Sequence, residues 1–413
     1  MSILQIISML FVVTALAGYM NHRFIKLPMS IGLLIFSTLL SLGVIVLCHY
    51  QVFDVKHVTQ TLARIDFEEL VLHGILSLLL FAGALQVDSS KLRQHLFAIS
   101  LFSTVGVIFA AFATAGIIYY LANLVGVQIN FIYCLLFGAL IAPTDPVAVM
   151  SILNKQTKNE ALKIKITGES LFNDGTGVVL FLTILSFAFA KHNETISYVS
   201  AFYTLLKELV GGAGIGIILG LMVTYILKTI DQYEVEVMIT LALAMGSYSL
   251  AEAFHVSAPI ASVVAGLVIG NKARATAMSE KTIEHVDMFF NLIDKILNAL
   301  LFVLIGLQIV SLTFNFSILT IGAIAVFAVL VGRFTSLILC GVMLLKTSFN
   351  FKKMPVIMTW CGLRGGISIA LALSLPAFAQ KETLLAMTYI VVIFSIVVQG
   401  TTLGRVITFL EKS

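Results

Sequence analysis

Thr167-Gly168-Glu169-Ser170-Leu171-Phe172-Asn173-Asp174-Gly175-Thr176-Gly177 lies inside an apolar segment running from about Ile164 to Ala190. A bilayer-crossing helix needs about 20 mostly apolar residues, and this segment is long enough. It nevertheless carries two acids, an amide, a serine and several glycines. Ionisable groups at membrane depth cost about 2.5–3.5 kcal/mol each on insertion scales, so they persist where they face a protein interior and do a job. Ser170, Asn173 and Asp174 stand at i, i+3 and i+4 and share one helix face. Glu169 lies beside them, one turn before Asn173. A hydroxyl, an amide oxygen and a carboxylate thus point one way, and hard cations such as Na⁺ take oxygen ligands of that kind. A polar contact between helices would account for Ser170 on its own. It does not account for the whole cluster.

The composition sets the class. Of 413 residues, 59% are hydrophobic and 11% charged, with a mean hydropathy of +1.05. That excludes a soluble globular protein and predicts an all-α polytopic membrane protein in a lipid bilayer. The net charge of +4 is not a nucleic-acid signal, because the basic residues sit in short loops between apolar runs. Cys48, Cys134, Cys340 and Cys361 lie in apolar segments without CxxC spacing and read as packing residues. No basic region precedes the first apolar run, since Arg23 follows it, so this run is a first span and not a cleaved signal peptide.

Thirteen spans are expected, at about 3–20, 29–48, 69–87, 96–122, 129–153, 164–190, 203–227, 234–254, 256–270, 286–312, 317–345, 355–378 and 384–409. The tenth begins amphipathic, with Asp287, Asp294 and Lys295 among apolar residues. No soluble regulatory domain is left over. With the N-terminus outside, the non-cytoplasmic loops hold only Lys56, Arg64, Lys191 and Lys381, while the other loop lysines and arginines fall on the cytoplasmic side. The C-terminus is then cytoplasmic.

An odd span count divides as six, a linker and six, and the linker turns the second half upside down. The repeats run from about 1–190 and 234–413, with the linker helix at about 203–227. Each half is interrupted at its fifth span. The first break is Ala142-Pro143-Thr144-Asp145-Pro146, whose prolines deprive Ala139 and Ala142 of helical partners. The second is Gly362-Leu363-Arg364-Gly365-Gly366, where glycine permits unwinding. Asp145 and Arg364 carry opposite charges, which suits crossing half-helices whose dipole ends need compensation.

These three motifs, in this order and over nearly the whole chain, resemble the sodium/proton antiporters of the NhaP type. These belong to the first cation/proton antiporter family, which includes the animal sodium/proton exchangers. The resemblance implies a homodimer with a mobile six-helix core that exchanges Na⁺, or Li⁺ or K⁺, for H⁺ and needs no cofactor. The expected location is the inner membrane of a bacterium. By resemblance, Asp174 is the ion- and proton-binding carboxylate, and Thr144, Ser170 and Asn173 line or order the site. Thr144, Ser170 and Asp174 are thus the expected cation ligands, with Asp145 close by. Glu169 is expected to pair with Arg333 of the eleventh span. Many members have an acid after the phenylalanine of the third span, where this chain reads Phe81-Ala82-Gly83-Ala84. A role for that acid is therefore not carried over.

The residues imply a competition in which proton and cation displace each other on Asp174 and the site opens alternately to the two sides. Asp145, Glu169 and Asp174 face Arg333 and Arg364, which leaves one uncompensated carboxylate and predicts electroneutral exchange. Two rivals are a passive cation channel and a membrane-embedded hydrolase. The sequence contains neither HExxH nor Gly-x-Ser-x-Gly, which weighs against the hydrolase. The histidines lie mostly in loops or at span ends, His73 excepted, and read as solvated residues. Asn193-Glu194-Thr195 and Asn315-Phe316-Ser317 match a glycosylation triplet that is common by chance. Gly211, Gly212, Gly214 and Gly216 in the seventh span predict close helix packing, within the protomer sooner than at a dimer.

Overall fold

Where the sequence places its long apolar runs, the chain is helical. The computed structural model describes residues 3–50, 71, 74–156, 159–189, 198–311, 315–344 and 353–412. The helices are α1 (Ile3–Met20), α2 (Met29–His49), α3 (Leu76–Leu85), α4 (Ser89–Leu101), α5 (Val107–Leu124), α6 (Phe131–Leu140), α7 (Pro146–Gln156), α8 (Glu160–Ala188) and α9 (Tyr198–Leu227). There follow α10 (Tyr233–Ala253), α11 (Ala258–Val268), α12 (Glu280–Leu307), α13 (Phe316–Met343), α14 (Met354–Trp360), α15 (Gly366–Leu373), α16 (Lys381–Phe394) and α17 (Gly400–Lys412). Five-residue π-turns join α4 to α5 and α16 to α17, so each pair runs on as one rod. No strand occurs among the described residues.

Helix starts follow the local chemistry. The side chains of Asp88, Asn159, Ser257, Ser279 and Asn315 each accept from a backbone N–H in the first turn of α4, α8, α11, α12 and α13 respectively. Hydrogen bonds from the Ser90 hydroxyl and amide hold the Asp88 carboxyl below the usual carboxylate range. Asn315 is thus a helix cap, which gives its triplet a structural reason. Asn193, His73, Lys56, Arg64, Lys191 and the start of the third expected span lie outside the described residues.

Eight described helical stretches are long and apolar enough to cross a membrane, and α3 and α6 are shorter apolar helices. A count of thirteen is not established by this. The physical reasons are that the fifth and twelfth expected spans are broken in two and the ninth is the short α11.

The helices pack into a continuous bundle. α13 lies along α5 and also touches α14 and α16, while α9 and α10 enclose α11, which rests on α3. α12 packs on α2 and α3. α8 is the common neighbour, in contact with α4, α6, α7, α9 and α11. This central position keeps its polar middle out of lipid.

The expected small-residue packing is within the protomer. A Cβ at Gly212 would collide with the Ser257 carbonyl oxygen, and one at Gly216 with that of Ala261, whereas Gly214 faces open space. Gly212→Leu and Gly216→Leu should each lower the thermal unfolding midpoint in detergent, because overpacking costs about 1–3 kcal/mol and a backbone cannot move aside cheaply. Gly214→Leu should leave it unchanged. An equal loss for all three would mean that close approach of α9 to α11 is not what these glycines provide.

Candidate functional site

The two breaks meet. Between α6 and α7 the chain leaves the helix over Pro143-Thr144-Asp145, and between α14 and α15 over Gly362-Leu363-Arg364-Gly365. One backbone hydrogen bond joins them directly, from the Asp145 N–H to the Leu363 carbonyl at 2.7 Å. The Arg364 guanidinium donates to the carbonyls of Ala142 and Pro143. Ala142 is a residue that the prolines deprive of a helical partner, and here a cation at the end of α6 meets both the orphan carbonyl and the negative pole of the helix. The Arg364 N–H donates to the Ser395 hydroxyl at 2.9 Å. On the other side of the crossing, the Asp145 carboxylate lies against Gly365, the residue before α15. A Cβ at Gly365 would sit 3.0 Å from the Asp145 Cβ and 3.1 Å from its Oδ2. A side chain at this position would crowd the acid, so glycine eases its approach to the helix N-terminus.

α8 locks onto the first break through Asn173. Its Nδ2 donates to Thr144 Oγ1 at 2.7 Å and to Glu169 Oε1 at 2.9 Å, and its Oδ1 accepts from the Thr144 N–H at 3.2 Å. The hydroxyls of Thr144 and Ser170 share a hydrogen bond of 2.9 Å. Glu169 is also gripped from α13. Arg333 Nη1 and Nη2 donate to Oε1 and Oε2, each at 2.7 Å, in a bidentate pair with both residues buried.

Asp174 differs from its neighbours. It is 4% exposed, and its Oδ1 has no hydrogen-bond partner among the described residues. It lines a cavity of about 840 Å³, together with Thr144 and Asp145. The cavity also reaches Asp88, Lys91, Glu160 and Lys163 at one end of the bundle. There Glu160 meets Lys163 at 3.1 Å and Lys91 at 4.0 Å. Such exposed pairs contribute little to stability, about 0–1 kcal/mol.

The sequence-predicted residues therefore gather, but not as one shell. Thr144, Asp145 and Asp174 face the cavity, whereas Ser170, Asn173 and Glu169 stand behind Thr144. The amide oxygen of Asn173, read from spacing as an open oxygen ligand, is engaged by the Thr144 N–H. Arg364 bonds the carbonyls of the broken helix, where the sequence had suggested compensation of Asp145 as well. Asp294 and Asn298 of α12, which sequence reasoning did not place at the site, line the same cavity. Their only signal was the amphipathic start of that span.

Removing one member of a buried pair leaves a charge unpaired, a loss of about 3–5 kcal/mol. Arg333→Ala should accordingly lower thermal stability strongly, and Arg333→Met combined with Glu169→Gln should recover part of the loss. Equal melting temperatures for wild type and Arg333→Ala would show that this pair does not hold α8 to α13.

Comparisons with known proteins bear on this arrangement. The family described as "Sodium/hydrogen exchanger, transmembrane" matches residues 11–409. The chain is 44% identical over 410 residues to the Na(+)/H(+) antiporter NhaP of Pseudomonas aeruginosa, covering 98% of this chain and 96% of that one. It is 39% identical over 281 residues to the Na(+)/H(+) antiporter NhaH of Halobacillus aidingensis, covering 66% and 67%. Among solved structures, the sodium proton antiporter MjNhaP1 of Methanocaldococcus jannaschii at pH 8 superposes with a TM-score of 0.75 at 18% identity, covering 99% of both chains. That likeness is one of fold. With a family match over nearly its whole length and a close relative at full coverage, the chain belongs to the sodium/hydrogen exchanger family.

Proposed function

We propose that this chain is a secondary active antiporter that exchanges Na⁺ for H⁺ across the bilayer, with Asp174 holding each in turn. The observation that carries this is the buried Asp174, with one oxygen unpartnered among the described residues, lining a cavity that reaches one end of the bundle. Desolvation penalises a bare carboxylate, and either a proton or a monovalent cation relieves the penalty. Both cannot bind it well at once, so each displaces the other. The relatives are named as antiporters, which favours exchange over a passive channel or a hydrolase.

Thr144 supplies a further oxygen on the cavity wall, and Ser170 and Asn173 hold it in place. The crossing that bears Asp145 and Arg364 would move as one piece with α8, carrying Asp174 between the two sides. The reading includes two inverted repeats of about 1–190 and 234–413 around a linker helix at about 203–227. It also includes a homodimer in a bacterial inner membrane, contributing to pH homeostasis. The lysine and arginine distribution supports an outside N-terminus and a cytoplasmic C-terminus.

Two measurements in proteoliposomes test the site. Asp174→Asn should abolish Na⁺-dependent proton movement while remaining folded and monodisperse, because an amide neither takes up nor releases a proton. Retained exchange in a folded Asp174→Asn protein would overturn the assignment. Adding Na⁺, Li⁺ and K⁺ in turn to the wild type ranks the cations.

The charge balance is tested by voltage. Glu169 is paired with Arg333, and Asp145 and Arg364 each lie at a half-helix end, so one charge is neutralised per swap. A membrane potential set by K⁺ and valinomycin, with the pH gradient held constant, should not shift the equilibrium position of exchange. A shift would mean more than one proton per cation.

A further inference from the structure

The cavity in front of Asp174 has a second wall, made by α12. Asp294 and Asn298 stand one turn apart on that helix and both line the cavity. Asn298 is buried, and its Nδ2 donates to Asp294 Oδ1 and to the Asp294 carbonyl, each at 3.0 Å. The first of these bonds orients the carboxylate and the second holds the Asn298 amide in place, while Oδ2 accepts no hydrogen bond among the described residues. Asp294 is half-buried, between the bulk and the fully buried Asp174.

The surrounding charges favour a cation at this place. Five carboxylates line the cavity, those of Asp88, Asp145, Glu160, Asp174 and Asp294, against the three lysines Lys91, Lys163 and Lys295. Lys91 and Lys163 are engaged with Glu160 at the mouth. Lys295 is exposed and can swing its ammonium toward solvent. At the far end, Asp174, whose Oδ1 is buried and unpartnered among the described residues, lines the same space. A Na⁺ passing directly from water to that oxygen would have to shed its hydration shell in one step. An intermediate carboxylate divides that step in two.

We propose that Asp294, oriented by Asn298, is a loading site for Na⁺ or another monovalent cation on the wall opposite Asp174. A partly hydrated ion binds Asp294 Oδ2 and is then handed across the cavity. The proposal rests on the reading of Asp174 as the exchange carboxylate. It also predicts an asymmetry: α12 packs on α2 and α3 and makes no comparable contact with α8, so Asp294 would serve only the side to which the cavity opens.

The test is the Na⁺ dependence of exchange by the full-length protein in oriented proteoliposomes, at fixed pH and at ionic strength held constant with choline. Asp294→Asn should raise the apparent KM for Na⁺ added on the cavity side by about fivefold to tenfold, the size of one lost carboxylate interaction in a partly screened site. Vmax should stay within about twofold, and KM from the opposite side should not change. Asp294→Glu should restore KM to within about threefold, and Asn298→Ala, which frees the carboxylate, should raise it by about twofold to fivefold. An unchanged KM in Asp294→Asn, or a fall in Vmax alone, would overturn the loading site. So would a general field effect, in which Lys295→Gln lowers KM by as much as Asp294→Asn raises it and high ionic strength erases the difference. If Asp294→Asn does not fold, the side-specific KM of Asn298→Ala decides. Failure of wild-type exchange, or activity in folded Asp174→Asn, would strike the antiport reading itself and is distinguishable from all of these.

Discussion

Two helices opened inside an apolar slab expose backbone groups that no lipid can satisfy, and the rest of the site depends on how those groups are matched. Each unmatched amide or carbonyl in hydrocarbon costs several kcal/mol. Here the two openings answer each other. The Asp145 N–H reaches the Leu363 carbonyl, and Arg364 reaches back to the carbonyls of Ala142 and Pro143. Neither break could exist alone at this depth. Because each supplies what the other lacks, they form a rigid cross in which Thr144 and Asp145 have one position.

A second tie transmits that position to α8 and on to α13. Asn173 grips both the Thr144 backbone and Glu169, and Arg333 grips both oxygens of Glu169. A buried ion pair is poor evidence of added stability, since desolvating both partners offsets much of the attraction. Its bidentate geometry instead fixes orientation. The chain of contacts from α13 through Arg333, Glu169, Asn173 and Thr144 to the first break means that the pieces around Asp174 shift together or not at all.

Much of this was legible in the sequence, and the residues show why some was not. Helical periodicity alone puts Ser170, Asn173 and Asp174 on one face, and prolines and glycines mark both breaks. Pairing across distance is different. Glu169 and Arg333 are 164 positions apart, and no spacing rule links them; the family resemblance did. Spacing also cannot say what a side chain on the right face will meet. Asn173 presents an oxygen in the expected direction, but the nearest donor is the Thr144 N–H, so its oxygen is engaged. Asp294 and Asn298 stand in a stretch recognised as amphipathic, yet which side of α12 would face the cavity depends on how it packs against α2 and α3. The number of spans is not fixed by apolar runs alone, because a broken or short helix carries only a fraction of the usual apolar signal.

The pattern of satisfaction around the centre explains why one carboxylate stands apart. Glu169 has a bidentate partner, Asn173 donates both amide hydrogens and accepts at its oxygen, and Asp145 lies at a helix N-terminus. Asp174, the next residue along α8 from Asn173, lines the cavity and carries a buried oxygen that nothing in the described protein satisfies. Substitution would remove such a cost if the position had no other use, since a threonine or alanine would fill the space without it. The surrounding network makes the defect tolerable by holding the Glu169, Asn173 and Thr144 side chains in place. On the proposed reading, the missing partner is the transported ion. A site satisfied from within would bind neither Na⁺ nor H⁺, and a site with two such oxygens on separate acids would require a second charge to neutralise it. Leaving one group unmatched, at the end of an open path, is the arrangement that makes occupancy by one small cation or one proton the condition for a neutral core.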